Sequence, residues 1–102
     1  MRFLRAILPL SLLTGACGPQ IPTLREYAES AIGQDIAVVQ AVVRQPGSYA
    51  SSVGWQERTY PLPNGHWVYV EPDRPGCEIH YEVDGGNVIV GYTPMGSGCA
   101  HQ

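Results

Sequence analysis

The 102-residue chain contains no lysine, so all six of its basic residues are arginine, set against nine Asp and Glu. An acidic balance of this kind makes nucleic acid and anionic membrane surfaces poor candidate partners. Long apolar runs are missing too. The run Ala6 to Leu13 carries Pro9 and falls well short of the roughly 20 apolar residues that a spanning helix needs. Cysteine is scarce, with three in all, and neither a close Cys pair nor a His-x-x-x-His run is present. Those are the spacings that structural metal sites use. A Gly-x-Ser-x-Gly elbow and a phosphate-binding glycine loop are also absent. A set could still be drawn from Ser48, Ser51 or Ser52 with His66 or His80 and Asp73, but nothing in its surroundings points to acyl transfer. The expectation is a non-enzyme with no cofactor and no metal.

What is present begins with a leader. Arg2 and Arg5 precede the short apolar run, and Thr14-Gly15-Ala16 leads into Cys17. A positive flank, an apolar stretch of this length and small residues before a cut are the layout of a secretory signal. Leu13 to Cys17 resembles a bacterial lipobox, with Thr14 where Leu is usual. The resemblance implies cleavage before Cys17 and acylation of its new N-terminus, and several acyl chains anchor a protein firmly. Gly18 stands where Asp signals inner-membrane retention in enteric lipoproteins, which implies the outer membrane. The expected division is a signal peptide at 1–16, a lipidated tether at 17–23 with Pro19 and Pro22, and one domain at 24–102.

Cleavage removes two arginines and leaves four basic residues against nine acidic ones, a formal charge of −5. A domain this small has a marginal core, and a covalent staple helps it. With Cys17 acylated, Cys77 and Cys99 remain as an even pair in an oxidising compartment. Their disulfide closes a loop of roughly 20 residues and contributes about 3 kcal/mol on the chain-entropy model. The rival is a metal held by Cys77, Cys99 and one of His66, His80 or His101.

Thr23 with Glu26 makes a capping box. Leu24, Tyr27, Ala28, Ala31 and Ile32 then form one helical stripe, and Gly33 ends it. A second helix is predicted over Asp35 to Arg44, stopped by Gln45-Pro46-Gly47. Ile36, Val39, Gln40 and Val43 share one face, and the near-continuous apolar character predicts burial on more than one side. Ser48 to Gly54 reads as a loop. Short strands follow: Trp55 to Tyr60, His66 to Glu71, Cys77 to Val83 and Val88 to Thr93. Turns are expected at Pro61 to Gly65, Pro72 to Gly76 and Asp84 to Asn87. If Val83 faces Val88, then Tyr81 faces Val90, Ile79 faces Tyr92 and Cys77 faces Pro94. The flexible Met95-Gly96-Ser97-Gly98 then folds back to bring Cys99 to Cys77.

The fold class expected is α+β: two N-terminal helices on a three- to four-stranded antiparallel meander. With the lipobox, this layout resembles the small outer-membrane lipoproteins of the SmpA/OmlA, or BamE-like, type. Gly33, Gln45-Pro46 and Asp84-Gly85-Gly86 with Val88 carry the likeness, while Arg44 stands where the family has Gly. The resemblance implies a two-layer sandwich and a periplasm-facing address, but no activity, since function is argued from a site.

Glu78, His80 and Glu82 share a strand face and read as a solvated surface, with metal binding or proton shuttling as the alternative. Trp55, Tyr60, Trp67 and Tyr69 concentrate aromatic area in the sheet half and are the candidate partner-binding residues. The leading function is a non-enzymatic binding or scaffold module of the envelope, in outer-membrane protein assembly or envelope integrity, with an envelope protein as partner. The alternative is a lipoprotein inhibitor of an extracytoplasmic enzyme, such as a β-lactamase or a lysozyme. Its inserting loop would be Ser48 to Gly54 or Pro61 to Gly65.

Overall fold

The computed structural model describes residues 22–99. The signal peptide, Cys17, most of the tether and His101 lie outside the described residues.

The first helix, α1, spans Leu24–Ala31, and its capping box forms as the sequence predicts. The Glu26 amide donates to Thr23 Oγ1 at 3.1 Å, and the Thr23 amide donates to Glu26 Oε1 at 3.0 Å. Leu24, Ala28 and Ala31 are buried and Tyr27 is half-buried. Ile32 leaves the stripe: it is extended at the C-cap and exposed, and Gly33 follows with φ +92°.

Helix α2 spans Ala37–Arg44. Ile36, Val39 and Val43 are buried as expected, but Val38 and Val42 are exposed. The predicted burial on several sides is therefore corrected to one side. Gln45 turns to the extended region ahead of Pro46, where helical backbone clashes with the ring. The loop predicted at Ser48 to Gly54 contains one more helical turn, α3, Tyr49–Ser52. Ser48 caps it, accepting from the Ser51 amide and donating to the Val43 carbonyl. A single turn has too little periodicity to show in the sequence, although the Ser cap is its usual signal.

Four strands follow as an antiparallel meander in the order β1-β2-β3-β4: Arg58–Pro61, Trp67–Arg74, Cys77–Val83 and Ile89–Met95. Strand β1 starts later than predicted and β2 runs further. Beyond Val70, β2 has lost β1 as a neighbour and is itself an edge, which is where Pro72 is tolerated. A bulge follows between Pro72 and Arg74, and the turn shrinks to Pro75-Gly76.

The last hairpin differs from its predicted register. Val83 faces Ile89, Tyr81 faces Tyr92 and Ile79 faces Pro94. The irregularity lies between Glu82 and Val83, opposite an extra residue, Val90, which is exposed. Val88 is drawn outward into a bridge with Asp35, and the Gly33 amide bonds the Ile89 carbonyl. Outward pairing at the head of β4 displaces the simple hairpin register.

Alternation divides the sheet. Tyr69, Ile79, Tyr81, Val83 and Ile89 join Leu24, Ala28, Val39 and Val43 in one core, with Trp67 and Tyr92 packed against it. The other face carries Arg58 and Tyr60 on β1, Val68 and Val70 on β2, and Glu78, His80 and Glu82 on β3.

Candidate functional site: a cleft at the disulfide end of the sheet

Cys77 opens β3 and Cys99 closes a short 3-10 turn, Ser97–Cys99, and the two are joined by a disulfide. Both sulfurs belong to buried residues. The returning segment is held tightly against the β2–β3 turn. The Gly98 amide donates to the Gly76 carbonyl at 3.0 Å. A Cβ on Gly96 would lie 2.0 Å from the Gly76 oxygen, and one on Gly98 would lie 2.1 Å from the Pro75 oxygen. These glycines therefore serve close backbone contact, where the sequence suggested flexibility.

Beside this staple lies a cleft of about 390 Å³. Tyr49, Val53 and Trp55 line it from the α3 side, Pro75 from the β2–β3 turn, and Glu78 and Met95 from the sheet. Val53 and Met95 are among the exposed large apolar residues. The Arg58 guanidinium lies 5.4 Å from the Trp55 ring centroid, a cation–π distance. Arg58 also forks onto Glu78, with contacts of 2.9 and 3.3 Å. The buried Trp55 Nε1–H has no hydrogen-bond partner among the described residues.

The outer sheet face holds a second cleft of about 370 Å³, lined in part by Tyr60, His80, Glu82 and Thr93. Here Tyr60 Oη lies 2.9 Å from His80 Nδ1, and His80 Nε2 lies 3.1 Å from Glu78 Oε1. His66 Nδ1 meets Glu82, which also accepts from Asn64. These side chains arch over Val70 and Val68, which are buried. Glu78, His80 and Glu82 thus share a face, and each is bonded to a neighbouring segment. The Arg58 hydrogen bond holds the Glu78 carboxyl below its ordinary range, and the His66 bond does the same for Glu82.

A third feature went unread in the sequence. Glu71 is 6% exposed, on the helix-facing side between core residues. Tyr27 Oη donates to its Oε2 and Tyr81 Oη to its Oε1, each at 2.9 Å. Burial pushes its carboxyl above the ordinary range, against the pull of the two tyrosine hydrogen bonds. Burial raises both tyrosines as well. The available signal was alternation: Glu71 follows Trp67 and Tyr69 at a spacing of two, so it shares their face.

The four candidate aromatics do not share one surface. Tyr69 is wholly buried in the core, and Trp67 packs against that core from the same face. Tyr60 lies on the opposite face, paired with Val68, and Trp55 lines the disulfide-end cleft. Alternation along β2 separates Trp67 and Tyr69 from Tyr60. The serine–histidine sets are not assembled either. Ser48 and Ser52 hydroxyls donate to backbone carbonyls, Asp73 pairs with Arg74, and both histidines are bonded elsewhere. Of the candidate inhibitor loops, Ser48 to Gly54 is largely helical, and Asn64 in the other is tied to His66 and Glu82.

Compared with protein-family models, curated proteins and solved structures, the chain has no match.

Proposed function

We propose that this chain is an outer-membrane lipoprotein, acylated at Cys17 and facing the periplasm, whose domain is a non-enzymatic binding module. In this reading the helices and sheet form a two-layer, BamE-like sandwich. The observation that carries the binding role is the cleft beside the Cys77–Cys99 bridge. Its apolar lining from Val53, Trp55 and Met95 stands next to a covalently stapled wall. A site built in advance loses little conformational entropy on binding. The occupant is an extended segment of an envelope protein that places an apolar side chain between Val53 and Met95, with the Arg58–Glu78 pair fixing its backbone polar groups.

Val53→Glu charges the cleft at an exposed position without touching the core. In cells, chemical crosslinking should trap a defined complex with the wild type and with Val90→Glu, and Val53→Glu should abolish it. An identical complex with Val53→Glu contradicts the binding site. Separately, Cys17→Ser should move the protein from the membrane fraction to the soluble one. Unchanged membrane fractionation contradicts the lipid anchor.

A further inference from the structure

The geometry points to Glu71 as a protonation-controlled latch for helix α1: its neutral carboxyl keeps the helix docked on the sheet, and its ionisation favours undocking. Glu71 is the one buried charged residue among the described residues. The titratable and charged groups around it are few. Tyr27 faces it from α1 and Tyr81 from β3, while Tyr69 and Asp73 lie on its own strand. Asp73 is paired with Arg74, and among the described residues no cationic side chain forms an ion pair with Glu71.

An ionised carboxylate in such a place loses most of its hydration. Two hydroxyl donors restore part of it, and nothing restores the rest. The net balance keeps the Glu71 carboxyl above its ordinary range, burial outweighing the hydrogen bonds. Water regains access most easily by displacement of whatever covers the group. Strand β3 lies between β2 and β4 and cannot move alone. Helix α1 is eight residues long, is the first element described, and joins the rest through Gly33. Tyr27 is its hydrogen-bonded tie to Glu71.

The sign follows from linkage. The docked state has the higher Glu71 pKa and so binds the proton more tightly. Docking is therefore strongest at acid pH. It weakens as pH climbs from the ordinary glutamate value through the docked value, and it then levels off. One proton limits the slope to about tenfold in the opening equilibrium per pH unit.

The test is amide exchange of α1 in the full mature chain, followed against pH and corrected for intrinsic exchange. A carbon-13 titration of the Glu71 carboxyl accompanies it. Opening at Tyr27 and Ala28 should rise through that window by up to about tenfold per unit, while β3 amides stay protected. Glu71→Gln should be flat. Tyr27→Phe removes a donor to the ionised form and should shift the carboxyl titration to higher pH. The latch is overturned if α1 opening is independent of pH in the wild type, if Glu71→Gln keeps the slope, or if Glu71 titrates at or below an ordinary glutamate. The carboxyl titration needs only the wild type, so a variant that fails to fold leaves the outcome decided.

Discussion

On the outer face of the sheet, Glu78 and Glu82 each meet a basic side chain, Arg58 and His66, and stay partly in water. On the helix-facing side, Glu71 is buried against two tyrosine hydroxyls, with no base beside it. The same residue type thus has its carboxyl held low on one face and high on the other. The difference lies in what replaces lost water. A base favours the charged form, and apolar burial favours the neutral one. The outer arrangement is a polar roof over Val68 and Val70, while the inner one is a buried acid held by two tyrosine hydroxyls inside a core.

This contrast can be broken by mutation. Ile79→Ala, deep on the helix-facing side, should cost about 2–5 kcal/mol in chemical denaturation. Breaking the bridge with Cys77→Ser and Cys99→Ser together should cost about 3 kcal/mol on the chain-entropy model. It should also loosen the disulfide-end cleft, seen as faster exchange at the Gly98 amide. Tyr27→Phe removes one part-buried hydrogen bond and should cost about 1 kcal/mol near neutrality. The Arg58–Glu78 pair is half in solvent, so a double-mutant cycle should find a coupling of at most about 1 kcal/mol. A coupling several times larger would mean that the outer roof, and not the inner core, organises the sheet.

The two faces also predict opposite responses to acid. On the outer face Glu78 and Glu82 have lowered pKa values, chiefly through hydrogen bonds with Arg58 and His66. Their contribution is present above the ordinary carboxylate value and is lost as pH falls through the lowered values. Glu71 contributes with the other sign, being most favourable below the ordinary value and losing that gain as pH rises through its raised one. Stability of Glu71→Gln relative to wild type should therefore increase from acid to neutral pH. A difference that stays constant with pH contradicts the assignment of Glu71 as a buried acid.

Much of the framework was legible because it depends on local chemistry. The Thr23–Glu26 box, the stop at Gly33 and the alternation from Cys77 to Val83 are each written in a few neighbouring residues. The parts that escaped depend on distant partners. Val90 is bulged because Val88 bridges Asp35, more than fifty positions earlier in the chain. Val38 and Val42 are exposed because the core reaches only one side of α2. Glu71 reads as a polar strand end until Tyr27 and Tyr81 are seen to meet it. The cleft assembles from α3, the β2–β3 turn and the end of β4, so no single segment announces it.

The two clefts provide the sharpest functional contrast, and one measurement compares them directly. A photo-crosslinking side chain placed at Val53 reports on the disulfide-end cleft, and one at Thr93 reports on the outer-face cleft. Both positions are exposed, so both variants keep the core intact. Illumination of intact cells should give a discrete adduct from position 53 and none from position 93. An adduct from position 93 alone, or no adduct from either, contradicts binding at the disulfide end.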